Sequence, residues 1–226
     1  MMIARQEHLL DQERRTPMKK LLVSGTLAAV ILSLVYLFLI GRNDPDTQAS
    51  SGRPWYLTLV NRQNPVPENG KVDLAELPGG EKVDKRIYEP LMEMLADAEA
   101  LNLGPVVVSG YRTQEKQRRL YEDKIREYQD QGYSKEEATR QADQWVARPG
   151  TSEHQLGLAV DINGATYDIY SWLQENSYKY GFIFRYSGEK QEITGISEEV
   201  WHYRYVGINA AKEIYQQGIC LEEYLE

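Results

Sequence analysis

Leu21–Ile40 is twenty consecutive residues without a charge, the length that crosses ~30 Å of hydrocarbon as a helix. It is apolar all round, which sets it apart from the one-sided faces of a globular helix. Arg14, Arg15, Lys19 and Lys20 stand just before it, and Gly41-Arg-Asn-Asp-Pro45 follows with much less positive charge. The excess of cations on the N-terminal side predicts a cytoplasmic tail over 1–20, a transmembrane anchor over 21–40 and an external remainder. A cleaved signal peptide fits less well, because its apolar region usually runs only ~7–15 residues and no Ala-x-Ala site follows. Residues 41–54, rich in Asp, Ser, Gly and Pro, read as a linker to a domain over 55–226.

Within that domain the apolar spacing alternates between helical and extended. Trp55–Val60 has the composition of a strand. Pro90 suits a first helical turn, and Leu91, Met94, Leu95, Ala98 and Leu101 then share a face that ends at Gly104-Pro105. Val106–Ser109 reads as a short buried strand that delivers Gly110-Tyr-Arg112 at its end. Residues 113–147 are strongly polar and form two helices, one with Tyr121, Ile125 and Tyr128 on a narrow face. The other opens on the capping box Ser134-x-x-Glu137 and carries Ala138, Ala142 and Trp145. A solvated helical hairpin is favoured here over a lid. Tyr167–Tyr180 is a helix stopped by Gly181, Phe182–Tyr186 and Trp201–Val206 are strands, and Asn209–Gln217 is a closing helix. Strands and helices mix without a βαβ rhythm, which points to an α+β fold.

Net charge is −8, and no basic run follows residue 20, which argues against a nucleic-acid partner. The lone Cys220 excludes an internal disulfide and is a poor nucleophile or ligand candidate. Chemistry is therefore sought among the histidines, which number three: His8, His154 and His202. His8 precedes the apolar span. His154 opens the stretch His154-Gln-Leu-Gly-Leu-Ala-Val-Asp161, and His202 ends Glu199-Val-Trp-His202. Two imidazoles and an aspartate would make a three-ligand zinc site with an open position for water, and Glu199 could serve as base. A straight strand would hold His154 and Asp161 ~23 Å apart, so the chain must turn between them, most cheaply at Gly157. His154 is then expected in a turn and the strand over Leu158–Ile162. Residue types alone leave this metal site and a pair of satisfied polar histidines both open. Imidazole disfavours calcium in either case.

Ser109-Gly-Tyr-Arg112, Ser152-x-His154-x-x-Gly157-x-Ala159-x-Asp161 and Glu199-x-Trp201-His202 stand in an order that resembles the VanY-type D-alanyl-D-alanine carboxypeptidases. These belong to a zinc metallopeptidase group that includes lysostaphin-like enzymes and the hedgehog domain. The resemblance runs from about Trp55 to Gly207; Val200 departs from it where relatives commonly carry proline. It implies a small, mostly antiparallel sheet flanked by helices, and zinc on His154, Asp161 and His202. Glu199 would be the general base and Arg112 the cation that steadies the oxyanion. Ser152 would bind the substrate's terminal carboxylate, with Tyr111, Gln117, Arg185 and Tyr186 as further cleft candidates. The implied partners are peptidoglycan stem peptides ending in D-alanine and, through residues 21–40, the cytoplasmic membrane. The expected setting is the outer side of a bacterial cell membrane, held by a single pass. An L,D-carboxypeptidase acting on the tetrapeptide, an endopeptidase cutting cross-bridges and a non-catalytic zinc-bearing binding module are the alternatives.

Overall fold

The computed structural model describes residues 52–68 and 71–226, and the expected tail and anchor at 1–20 and 21–40 lie outside them. Among the described residues no helix is long and apolar enough to cross a membrane. Arg53–Glu226 form a single compact unit. At its centre lies a four-stranded sheet in the order β3-β4-β6-β5, built from Val106–Ser109, Ala159–Asn163, His202–Tyr205 and Phe182–Phe184. Every neighbouring pair in it is antiparallel. A separate hairpin pairs β1 (Leu74–Glu76) with β2 (Lys82–Asp84).

The helices are α1 (Tyr88–Ala100), α2 (Gln114–Asp130), α3 (Lys135–Ala142), α4 (Asp168–Asn176), α5 (Gln191–Thr194), α6 (Ile208–Gln217) and α7 (Leu221–Leu225). The spacing of α1 does what its sequence requires: Leu91, Met94 and Ala98 are fully buried against Val160 and Ile162 of β4 and Ile169 and Leu173 of α4. Each such aliphatic side chain contributes roughly 1.5–3 kcal/mol by leaving water. Leu101 falls off that face at 57% exposure, because the helix ends there and Asn102 turns into the left-handed region at φ 59°. The capping box at Ser134 is present, and Ala138 and Ala142 are buried as the pattern required. A second apolar cluster gathers Ile183, Val206, Ala210, Ala211, Ile214 and Leu221 beneath α6 and α7.

Three expectations change. Trp55–Val60 is not a strand: Trp55–Leu57 forms one tight turn closed by Leu57 N–H to Pro54 O at 2.9 Å. Ring packing decides that conformation, since Trp55 stacks on Tyr205 at 6.0 Å and the Arg86 guanidinium lies over the Trp55 ring, 3.6 Å from its centroid. Val106–Ser109 is a strand, but it is the sheet edge, with Val106 and Val108 largely exposed. The Tyr167–Tyr180 helix is α4 followed by a tighter turn over Ser177–Tyr180. The hairpin β1–β2 and the terminal α7 had no clear pattern, being three and five residues long.

The bend between His154 and β4 sits where the glycine is. Glu153–Leu156 make one tight turn, and Gly157 follows at φ 70° in the left-handed region. Its carbonyl accepts from Asp84 N–H at 2.9 Å, and an added Cβ would lie 2.8 Å from that same nitrogen. Gly157→Ala therefore combines a left-handed alanine with a backbone clash. The expected loss is about 2–4 kcal/mol, read as a lower denaturation midpoint at unchanged slope.

Candidate metal centre and cleft

Register builds this site. Ser109 pairs with Asp161, and Asp161 pairs with His202, so three polar residues form one row across β3, β4 and β6. His154 reaches the same place from the turn before β4, anchored by Arg112 N–H to its carbonyl at 3.1 Å. One donor atom each from His154, Asp161 and His202 lies within 4.8 Å of the others, and all three residues are buried. Asp161 Oδ1 stands 3.3 Å from His154 Nε2 and 3.1 Å from His202 Nδ1. Its other oxygen is ion-paired with Arg112 Nη2, while Arg112 Nε donates to Ser109 Oγ at 2.9 Å. Glu199 Oε2 lies 3.6 Å from His202 Nδ1, so the carboxylate expected as base is beside the cluster.

Donor chemistry and orientation both fit a divalent cation. The Nδ1 of His154 is 2.8 Å from the Gly110 carbonyl, which can only accept, so that nitrogen carries the proton and Nε2 is left facing Asp161 and His202. The negative charge that a cation needs comes from Asp161. Burial opposes ionisation of Asp161, yet attraction and hydrogen bonds to the two imidazoles hold its carboxyl well below the usual range. Burial also works against a charged His202, but its hydrogen bond to Asp161 and the nearby carboxylate of Glu153 outweigh it and raise that imidazole to about 9. Burial lowers His154 instead, with Asp161 pulling the other way and Arg112 adding to the fall. Burial pushes Glu199 up to about 7, with His202 opposing and Asp161 reinforcing.

The cluster closes one end of a cavity of about 660 Å3. Of the sequence candidates, Arg112, Ser152, Gln117, Tyr186 and Glu199 line it together with the three ligands. Gln117 is fully buried; its Nε2 donates to Ala147 O at 2.7 Å, while Oε1 has no hydrogen-bond partner among the described residues. Tyr186 packs its ring 4.8 Å from that of His202. Tyr111 and Arg185 are not brought to the cavity wall. Arg185 is buried behind the site and fully engaged by Glu153 and Glu222, so it cannot meet a substrate in this arrangement.

Other wall residues went unread in the sequence. Leu120, Asp123, Lys124, Glu127 and Tyr128 of α2 line the cavity with Trp145, Ile196 and Trp201. The polar hairpin at 113–147 is thus a wall of the cleft rather than a merely solvated appendage. Glu153 was also missed, although it adjoins His154; nothing in its spacing signals that two arginines remote in sequence would meet it.

A family profile described as VanY, D-alanyl-D-alanine carboxypeptidase, matches residues 80–208. A D-alanyl-D-alanine carboxypeptidase of Enterococcus faecalis is 54% identical over 176 residues, covering 76% of this chain and 66% of that protein. Two solved structures are similar: a vancomycin-resistance D,D-pentapeptidase VanY mutant in complex with Zn(II), and VanYB in complex with D-alanine-D-alanine. The first has a TM-score of 0.75 at 53% identity, covering 76% of this chain and all of that one. The second has a TM-score of 0.74 at 54% identity, covering 76% of this chain and 98% of that one.

His154→Ala removes a donor held in place by a backbone carbonyl. Its zinc affinity is expected to fall by more than the ~10–100-fold that loss of an outer hydrogen-bond partner costs. Chelator competition reads the affinity, and an unchanged circular dichroism spectrum shows that the fold survives.

Proposed function

The chain belongs to the VanY family of D-alanyl-D-alanine carboxypeptidases, and from that premise we propose that it removes the terminal D-alanine from peptidoglycan stem peptides. The observation that carries the reading is the convergence of His154, Asp161, His202 and Glu199 at the end of a cavity that also exposes Arg112. Zinc is the metal that the His-Asp-His donor set fits, and when bound it supplies Lewis acidity for hydrolysis near neutral pH.

The rest of the chemistry belongs to the side chains. Glu199, held at about 7 by burial, is poised to take a proton from the attacking water. The water oxygen forms its bond to the carbonyl carbon of the scissile peptide, and the C–N bond then breaks. The proton passes from Glu199 to the departing amine of D-alanine, which leaves the carboxylate on the shortened stem. Arg112 is fixed by Ser109 and Asp161, so its cation can meet the developing oxyanion without reorganising. Ser152 is a candidate for the substrate's free carboxylate. The open Oε1 of Gln117 is an acceptor suited to a peptide N–H.

The anchor belongs to the same proposal: residues 21–40 would tether the domain outside the cytoplasmic membrane, facing the cell wall. The full chain is then expected in the membrane fraction, released by detergent and not by high salt. Recovery in the soluble fraction would remove the tether.

Glu199→Gln is expected to lower kcat by ~10²–10⁴-fold while zinc content stays at the wild-type level. The measurement is mass-spectrometric release of D-alanine from a pentapeptide stem, run beside a tetrapeptide stem. Release from the tetrapeptide alone would make the enzyme an L,D-carboxypeptidase. Release from neither, with zinc bound, would favour a binding module.

A further inference from the structure

Beside His202, from Glu153 at the cavity lining back into the fold, runs a chain of buried charges that the hydrolysis does not use. Glu153 is 1% exposed, and its Oε1 accepts from Arg185 Nε at 2.8 Å and from Arg204 Nη1 at 2.9 Å. Its Oε2 has no such donor and stands 3.5 Å from His202 Nε2; neither atom has a hydrogen-bond partner within normal reach among the described residues. Arg185 continues the chain to α7 in a bidentate pair with Glu222, at 2.8 and 2.7 Å. The remaining nitrogens of Arg204 donate to the carbonyls of Tyr205, Tyr56 and Thr58 at 2.9–3.0 Å. Ala159 sits directly opposite Arg204 in the sheet, where a small side chain leaves room for the guanidinium.

We propose that Glu153 is a positioning residue for the metal centre, acting through His202. With Oε1 saturated by two arginines, Oε2 is directed at a single group, the Nε2–H of His202. Accepting that proton fixes the tautomer whose Nδ1 lone pair faces Asp161 and Glu199, and it sets the ring plane as well. The two histidines are thus locked from opposite nitrogens. His154 is held at Nδ1 by the Gly110 carbonyl and offers Nε2; His202 is held at Nε2 by a carboxylate and offers Nδ1. The arginines keep Glu153 an acceptor, so that it cannot turn into a donor pointed at the imidazole.

This inference rests on His202 being a zinc ligand, and the experiment separates the two claims. Zinc affinity is measured by chelator competition on the full-length protein and on its Glu153→Gln and Glu222→Gln variants, together with the melting temperature of each apoprotein. Glu222→Gln weakens the same buried network one residue farther from the metal and is the structural control. Glu153→Gln is expected to lose ~10–100-fold in zinc affinity. Glu222→Gln should lower the melting temperature yet change zinc affinity by less than about 3-fold, a small share of that outer-partner effect. In the zinc-loaded wild type, a slowly exchanging proton on His202 Nε2 should appear in nitrogen-15 histidine spectra and be lost in Glu153→Gln. If that variant does not fold, Glu153→Asp keeps the charge between the arginines while drawing the carboxylate back from His202. It should show the same zinc deficit. Equal zinc affinity in the Glu153 and Glu222 variants, or an unchanged Nε2 proton, would reduce Glu153 to a structural role. A wild type that binds no zinc would instead overturn the metal site itself.

Discussion

β4 and β6 run antiparallel with Asp161 opposite His202, and that one pairing decides where the chemistry can be. Because side chains alternate along a strand, Val160 and Ile162 face the apolar core while Asp161 faces the site. A slip of one residue would drive the carboxylate into the layer of Leu91, Met94 and Leu173 and turn the aliphatics toward the polar row. The buried face on one side thus specifies the functional face on the other. β3 extends the row through Ser109, with an irregularity between Val107 and Ser109 in the step that leads the chain to Arg112. The metal ligands depend on this sheet for position.

Such a centre concentrates ionised groups where burial opposes them. Asp161, Glu153, Arg185 and Arg204 are all nearly or wholly inaccessible, and their charges are tolerated only as a set. Removing one member of a buried pair typically costs about 3–5 kcal/mol, whereas replacing the whole set with apolar residues is often harmless to stability. The network is therefore poorly explained as a source of stability. Orientation explains it better, because each charge ends on an atom whose direction matters: Arg112 on Asp161, Glu153 on His202, Glu222 on Arg185. The first of these leaves Asp161 Oδ1 directed at both imidazoles.

Much of this could be read from the chain because local rules and the final fold agree. Gly157 had to provide a bend between His154 and Asp161, and it does so with a positive φ. The periodic faces of α1 and α3 and the Ser134 capping box are local signals, and each survives in the structure. What escaped reading is set by contacts distant in sequence. Trp55 and Tyr56 look extended in isolation, yet their rings are claimed by Tyr205, some 150 residues away. Arg185 sits beside Tyr186, which lines the cavity, yet two remote carboxylates, Glu153 and Glu222, hold its guanidinium in the interior. Glu153 has the same character: its partners come from β6, from the residue that follows β5 and from no neighbour in sequence.

The wall opposite the metal ligands raises a question that burial can decide, whether α2 and α3 form a separate flap or part of the site's frame. Asp143, at the end of α3, is 7% exposed and is held bidentately by Arg148, with Tyr121 of α2 donating to it at 2.8 Å. Gln117 ties the first turns of α2 to Ala147, and Ser197 N–H donates to Gln144 O at 2.8 Å, joining the hairpin to the loop that leads to Glu199. A flap drawn from the low-stability end of a protein has few buried contacts and an exposed hydrogen-bond ladder. Both ends of this hairpin instead close on buried polar anchors, and the same Gln117 that anchors it also lines the cleft. Wall and metal centre are thereby one preorganised frame, and a substrate enters a cavity whose side chains are already set by their neighbours.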